Sequence, residues 1–209
     1  MKLSRIALLA SVTLISSCSI LPKPEPFDVY RLPAATQNSG SASHGRPQQW
    51  SLRLTKLQSS EALNSPNIAV IPQGDVISHY KGSRWSDPAP VLLRNRLLDG
   101  FQRDGRVALL STDDSLFHGD LELGGNLQAF QTEYQGSSAN VVVRLDALLV
   151  RGYDRRILAS RRFEVRQPLS DVQVPAVVAG FGQANDQLTV QVVNWAVEQG
   201  QRLAPPPRP

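Results

Sequence analysis

Cysteine occurs once in the 209 residues, at Cys18, and that scarcity excludes an internal disulfide framework. Histidine is nearly as rare: His44, His79 and His118 are scattered, and no Cys/His cluster has the spacing of a structural zinc site. The catalytic signatures that carry their own spacing are missing as well. There is no His-Glu-x-x-His, no Gly-x-Ser-x-Gly elbow and no phosphate-cradling glycine loop. The most suggestive carboxylate pair, Asp113-Asp114, lies in the polar stretch Ser111-Thr112-Asp113-Asp114-Ser115, which has the composition of a turn. Triads assemble from distant residues, so a surface-bound hydrolase stays open as the minor reading. The expectation is a chain that is not an enzyme and takes neither cofactor nor metal.

Excess charge of one sign is also lacking. The 22 basic and 18 acidic residues give +4, and without Lys2 and Arg5 the balance is 20 against 18. That is too little to argue for a nucleic-acid partner. Hydrophobic residues at 41% and charged residues at 19% are ordinary for a chain that folds in water, which excludes wholesale disorder and a multi-span membrane protein. Apolar runs are short. The longest, Ile6 to Ile15, is only about half of the roughly 20 residues that a bilayer-spanning helix needs.

What is present at the start explains the lone cysteine. A short basic segment, Met1 to Arg5, precedes the apolar run, and Leu14-Ile15-Ser16-Ser17-Cys18 places small residues directly before the thiol. This resembles the lipobox of bacterial lipoproteins, with Ile15 where leucine is commoner. The resemblance implies that residues 1–17 are a removed signal peptide and that Cys18 carries acyl chains. Two or three chains anchor a soluble domain firmly, whereas one binds marginally. The alternative is an uncleaved signal anchor with an incidental cysteine. Ser19, in place of the aspartate that retains lipoproteins in the inner membrane of enteric bacteria, implies the outer membrane, facing the periplasm.

Prolines mark the ends of the folded part. Four of the 15 fall between Pro22 and Pro33 and four between Pro205 and Pro209. Residues 18–26 therefore read as a tether, biased to polyproline II and reaching roughly 25 Å, and 201–209 as a disordered tail. Between them, 27–200 read as one domain. Phe27 to Leu32 and Trp50 to Thr55 alternate like strands, separated by a Ser/Gly/Asn/Gln-rich linker from Ala34 to Pro47. Strands come next at Ile68–Ile71 and Val76–Tyr80 around the turn Pro72-Gln73-Gly74-Asp75. Asp87-Pro88 starts a helix whose stripe is Val91, Leu93, Leu97, Leu98 and Phe101, with Gly105 as its end and a strand over Arg106–Leu110.

Three further strands form an antiparallel meander: His118–Tyr134, Ala139–Val150 and Arg156–Arg166. Val141, Val143, Leu145, Ala147 and Leu149 share one face, and Ile157, Ala159, Phe163 and Val165 another. Gly124-Gly125 suggests a bulge or bend in the first of these strands. Pro175 opens a last amphipathic helix of about 25 residues through Val174, Val177, Val178, Phe181, Leu188, Val192 and Trp195. Gly180 and Gly182 weaken its middle by roughly 1 kcal/mol each. The fold class is α+β: a largely antiparallel β-sheet packed against two α-helices, with a lipid-anchored N-terminal tether.

One pattern narrows the reading further. Phe27-Asp28-Val29-Tyr30-Arg31-Leu32-Pro33 soon after the lipobox, the strand at Ile68–Ile71, Tyr80-Lys81-Gly82-Ser83-Arg84-Trp85-Ser86-Asp87-Pro88 running into a helix, and Val193-Asn194-Trp195 in the last helix resemble the ABC-type transport auxiliary lipoproteins. These are of the paraquat-inducible protein C type, partners of MCE-domain proteins, and the resemblance covers Phe27 to about Gln199. It implies a non-catalytic part in lipid transport between the two membranes. An ABC transporter complex and an MCE-domain protein would form the conduit, and this chain would dock it at the outer membrane. The rival class is an assembly or barrel-associated structural lipoprotein. Oligomeric state is not legible, and a homo-oligomer stays open.

Binding candidates are Tyr80, Arg84 and Trp85, together with Arg162 and Arg166. Arg84-Trp85 reads either as a docking anchor or as a core plug with a snorkelling arginine, the second being the commoner fate. Arg151, Arg155, Arg156, Arg161, Arg162 and Arg166 put six of the 22 basic residues on one hairpin that turns at Gly152-Tyr153-Asp154. A solvated face is the ordinary outcome; the functional one is contact with anionic headgroups or an acidic partner.

Overall fold

The computed structural model describes residues 26–35, 47–136 and 138–203. The signal segment, Cys18, the tether up to Glu25, most of the linker and the tail from Ala204 lie outside the described residues. Nine strands among those described build one open sheet. They are β1 (Asp28–Tyr30), β2 (Leu52–Leu54), β3 (Gln58–Ser59), β4 (Asn67–Gln73), β5 (Val76–Trp85), β6 (Leu110–Thr112), β7 (Leu121–Gln135), β8 (Ser138–Arg151) and β9 (Ile157–Leu169). Helices α1 (Ala89–Asp104) and α2 (Val174–Leu203) pack against it.

The antiparallel part is the long meander β7–β8–β9 together with the β4–β5 hairpin. The short strands join in parallel. β2, β3 and β4 lie one after another along the free edge of β7, with Leu52 beside Leu121, Gln58 beside Asn126 and Ala69 beside Gln131. Residues 52–73 thus behave as one interrupted strand on a 15-residue partner. β1 pairs in parallel with β5, and β6 with β2. The strand expected over Arg106–Leu110 instead begins at Leu110; Val107 makes only an isolated bridge to Gln48.

Alternation along β8 is nearly complete: Val141, Val143, Leu145, Ala147 and Leu149 are all fully buried under the helices. Each of the larger side chains contributes about 1.5–3 kcal/mol by leaving water. On β9 the expected face holds for Phe163 and Val165, but Ile157 is exposed. A register shift is the cause: Ala159 faces Leu149 and Ile157 faces Val150, so Leu158 is an extra residue that turns Ile157 to the outer side.

The bulge in β7 also differs from expectation. It falls between Leu127 and Ala129, not at the glycines, which stay in register with Leu148 and Ala147. Gly125 is there for close approach: its φ is +133°, and a Cβ would sit 2.0 Å from the Asp146 carbonyl oxygen. In α2 the glycines likewise seat neighbours. A Cβ on Gly180 would lie 2.5 Å from Leu169 Cδ2, and one on Gly182 3.0 Å from Pro33. The helix runs unbroken for 30 residues through both. α1 ends at Gly105, whose left-handed backbone donates its N–H to the Phe101 carbonyl at 3.1 Å.

Candidate docking surface

Tyr80, Arg84 and Trp85 all lie on β5, yet the fold gives them three different environments. Asn67 of β4 faces Arg84 while Ala69 faces His79, so β5 carries three extra residues between these pairs, with Gly82 at φ +65°. Trp85, beyond that bulge, is 1% exposed. Its indole meets Phe130 and Phe181 edge-on at 6.0 and 5.1 Å between centroids, and Phe130 stacks on Phe181 at 4.8 Å. It occupies the position of a core plug under α1 and α2. Arg84 turns away from that core and lies 3.7 Å above the Phe27 ring. Tyr80 is half-buried, its hydroxyl 3.4 Å from that of Tyr134, and burial pushes its phenol well above the usual range.

Arg162 and Arg166 project from the face of β9 opposite the helices, as the alternation demands. Neither is a free cation. Arg162 forks onto Asp146 through Nε at 2.5 Å and Nη2 at 2.7 Å. Arg166 reaches Glu133 at 2.9 Å and Glu164 at 2.7 Å, and Glu164 also takes Arg144 at 2.5 Å. The hydrogen bond from Arg162 holds the Asp146 carboxyl below its ordinary range, and that from Arg144 does the same for Glu164. The result is a ladder of alternating charge across β7, β8 and β9.

Two arginines escaped the sequence reading because they sit on a helix where a polar stripe was expected. Arg94 and Arg96 of α1 are each 6% exposed. Arg94 clamps both carboxylates of the Asp113-Asp114 turn, at 2.6 and 2.7 Å. Burial opposes charge on Asp113, but the Lys56 N–H and Arg94 outweigh it and lower its pKa. That pair is therefore structural. Arg96 pairs with Asp186 of α2 at 2.9 Å and also donates to the Pro33 carbonyl, tying the segment after β1 to both helices. Beside it lies a cleft of about 510 Å³ lined by Arg31, Leu32, Leu92, Asn95, Asp99 and Arg103, among others.

His79 and His118 are exposed on separate elements. Among the described residues no three His, Cys, Asp or Glu side chains are placed to share a metal ion, and no helix is long and apolar enough to cross a membrane. A further surface went unread in the sequence. Leu116 and Phe117, in the loop before β7, are 95% and 73% exposed. The signal was there: two large apolar residues side by side in an otherwise polar connection.

Comparison with known proteins places this architecture. The family model of the ABC-type transport auxiliary lipoprotein component matches residues 30–193. A Bradyrhizobium diazoefficiens protein, the uncharacterized protein bll6063, is 28% identical over 162 residues, which are 77% of this chain but only 42% of that protein. The chain thus spans under half the length of that relative. The crystal structure of protein XCC0632 from Xanthomonas campestris, of family DUF330, superposes with a TM-score of 0.76 at 28% identity, covering 84% of this chain and 97% of that one. A crystal structure of an uncharacterized protein superposes at 0.61 with 17% identity, over 82% and 99% of the two chains. At that identity the likeness speaks for the fold alone.

Proposed function

The chain belongs to the family of ABC-type transport auxiliary lipoprotein components, and from that premise we propose that it is a non-catalytic, lipid-anchored docking part of an ABC/MCE-type intermembrane lipid transport system. Acyl chains on Cys18 hold it at the outer membrane, facing the periplasm. Its partners are the MCE-domain protein and, through it, the inner-membrane ABC transporter. The observation that carries this reading is the family match, which runs from the last residue of β1 through the first two thirds of α2 and so takes in β2 to β9.

The geometry supports a role played by surface and not by chemistry. The two most suggestive charged constellations, the Asp113-Asp114 turn and the Arg162/Arg166 strand, are each satisfied by neighbours within the domain. A docking part needs a rigid scaffold, and the buried aromatic cluster with the Arg96–Asp186 pair provides one. Arg84 over Phe27, beside the point where the tether enters β1, offers a planar cation for a partner.

The test is co-isolation. The acylated protein, recovered from detergent-solubilised envelope through an affinity tag at its C-terminus, should bring with it an MCE-domain protein identified by mass spectrometry. Recovery of an outer-membrane barrel protein in its place would replace this reading with the assembly one.

A further inference from the structure

Five large exposed apolar side chains, Leu109, Leu116, Phe117, Tyr153 and Ile157, gather at one end of the sheet. Their proximity is a consequence of the hydrogen bonding. Arg53 donates to the Ser115 carbonyl at 3.3 Å and pairs with Glu122 at 3.5 Å, and Glu122 is also paired by Arg155, so one chain of contacts links the 113–120 loop to the β8–β9 hairpin. A second link is the Gly152 N–H, which donates to the Asp120 carbonyl at 2.9 Å. Packing there is close enough that a Cβ on Gly152 would lie 2.0 Å from the Gly119 oxygen. Leu109 stands at the same level, because its carbonyl accepts from Leu52, which pairs with Leu121 at the start of β7. Ile157 faces Val150, which faces Glu122.

We propose that this end of the sheet rests on an anionic lipid surface, with Leu116, Phe117 and Tyr153 entering the headgroup boundary and Arg156 meeting phosphates. The proposal rests on the lipid-anchored reading only in that anchoring keeps a bilayer within reach. Two adjacent apolar residues standing almost wholly in solvent need no matching pocket when the partner is a bilayer, which accepts any apolar shape. The charge is complementary as well. Arg156 is exposed and forms no ion pair among the described residues, whereas Arg155 is held by Glu122. The acids at this end are engaged within the domain, so they oppose anionic headgroups less: Asp113 and Asp114 pair with Arg94, Asp120 accepts from the Ser51 N–H and hydroxyl, and Asp154 pairs with Arg151. Tyrosine with arginine is the pairing that an interface between water and acyl chains favours.

Fluorescence tests this on the acylated full-length product. Trp50, Trp85 and Trp195 are buried, so Phe117→Trp introduces a reporter whose change with lipid stands out. On vesicles of phosphatidylethanolamine and phosphatidylglycerol with brominated acyl chains, its emission should shift to shorter wavelength and fall by at least half. Ile77→Trp, at the opposite end of the sheet, should report no change. Arg156→Glu should reverse most of the quenching of the Phe117→Trp reporter, and vesicles without phosphatidylglycerol should do the same. Protein that sediments with vesicles while the reporter stays unquenched would overturn this proposal and leave the anchor intact. Protein that neither sediments nor quenches would overturn both. A blue shift that tracks protein concentration without vesicles would assign the patch to a second copy and also overturn it.

Discussion

Along β8 one face is wholly apolar, while the other mixes charged side chains with Val142, Leu148 and Val150. On the helix side stand Val141, Val143, Leu145, Ala147 and Leu149, all without exposed surface, and behind them Trp85, Phe130 and Phe181 pack as one aromatic cluster. On the other side the same strand offers Arg144 and Asp146, which join Arg162, Glu164, Arg166 and Glu133 in a ladder of ion pairs. The apolar face holds the energy of the fold, because removing large side chains from water is worth far more than a solvent-exposed ion pair. The charged face leaves little net charge and gives the 13-residue edge strand β9 side chains that resist pairing with another chain. A run of arginines in the sequence is therefore no measure of free positive surface.

The largest break should come from the buried face. Trp85→Ala removes the side chain at the centre of the aromatic cluster and should cost about 3–5 kcal/mol, read as the shift of the urea midpoint at unchanged slope. Asp186→Ala should come next at about 3 kcal/mol, because it leaves the buried Arg96 guanidinium without its carboxylate. Replacing both partners, with Arg96→Met and Asp186→Leu, should recover most of that loss. Gly125→Ala should cost about 1–3 kcal/mol, since its methyl would drive into the Asp146 carbonyl.

How much of this contrast is legible in the sequence depends on the length of the pattern. The period-two runs of β8 and β9 and the helical stripe around Leu93, Leu97 and Phe101 each repeat often enough to show which side is core, and the α+β architecture is built from them. Single extra residues are not visible that way. Leu158 and Gln128 look like any strand residue, yet each reverses the facing of the strand on its far side, which is why Ile157 reads as core and stands in solvent. Pairing partners across the fold are equally hidden. Arg94 and Arg96 lie outside the apolar helix stripe, and only the tertiary arrangement that brings Asp113, Asp114 and Asp186 to them explains why they are buried. At the candidate surface, alternation correctly puts Arg162 and Arg166 on the outer face, while their acidic partners depend on strand register that no local pattern specifies.

The smallest effects belong to the charged face. Reversing Arg162 and Arg166 to Glu should leave the denaturation midpoint near that of the wild type, since Arg162 is largely exposed, Arg166 partly so, and their pairs are screened. A pH series sharpens this. Asp146 and Glu164 have depressed pKa values in the folded chain, so what they contribute is complete above the unfolded values of about 4 and is lost as pH falls through the folded ones. Any difference in melting temperature between wild type and Arg162→Gln should therefore shrink as pH falls below the unfolded value of about 4, as a thermal scan by circular dichroism would show.

Beneath both faces lies the claim that this domain works from a lipid anchor. Its most direct test is the intact mass of the protein extracted from the bacterial envelope, compared with the Cys18→Ala variant. The account predicts a wild-type chain that begins at Cys18 and carries diacylglycerol and an amide-linked acyl chain, while the variant retains residues 1–17 without lipid. A wild-type mass that matches the full unmodified sequence, or a cleaved chain that begins elsewhere and bears no lipid, would contradict it.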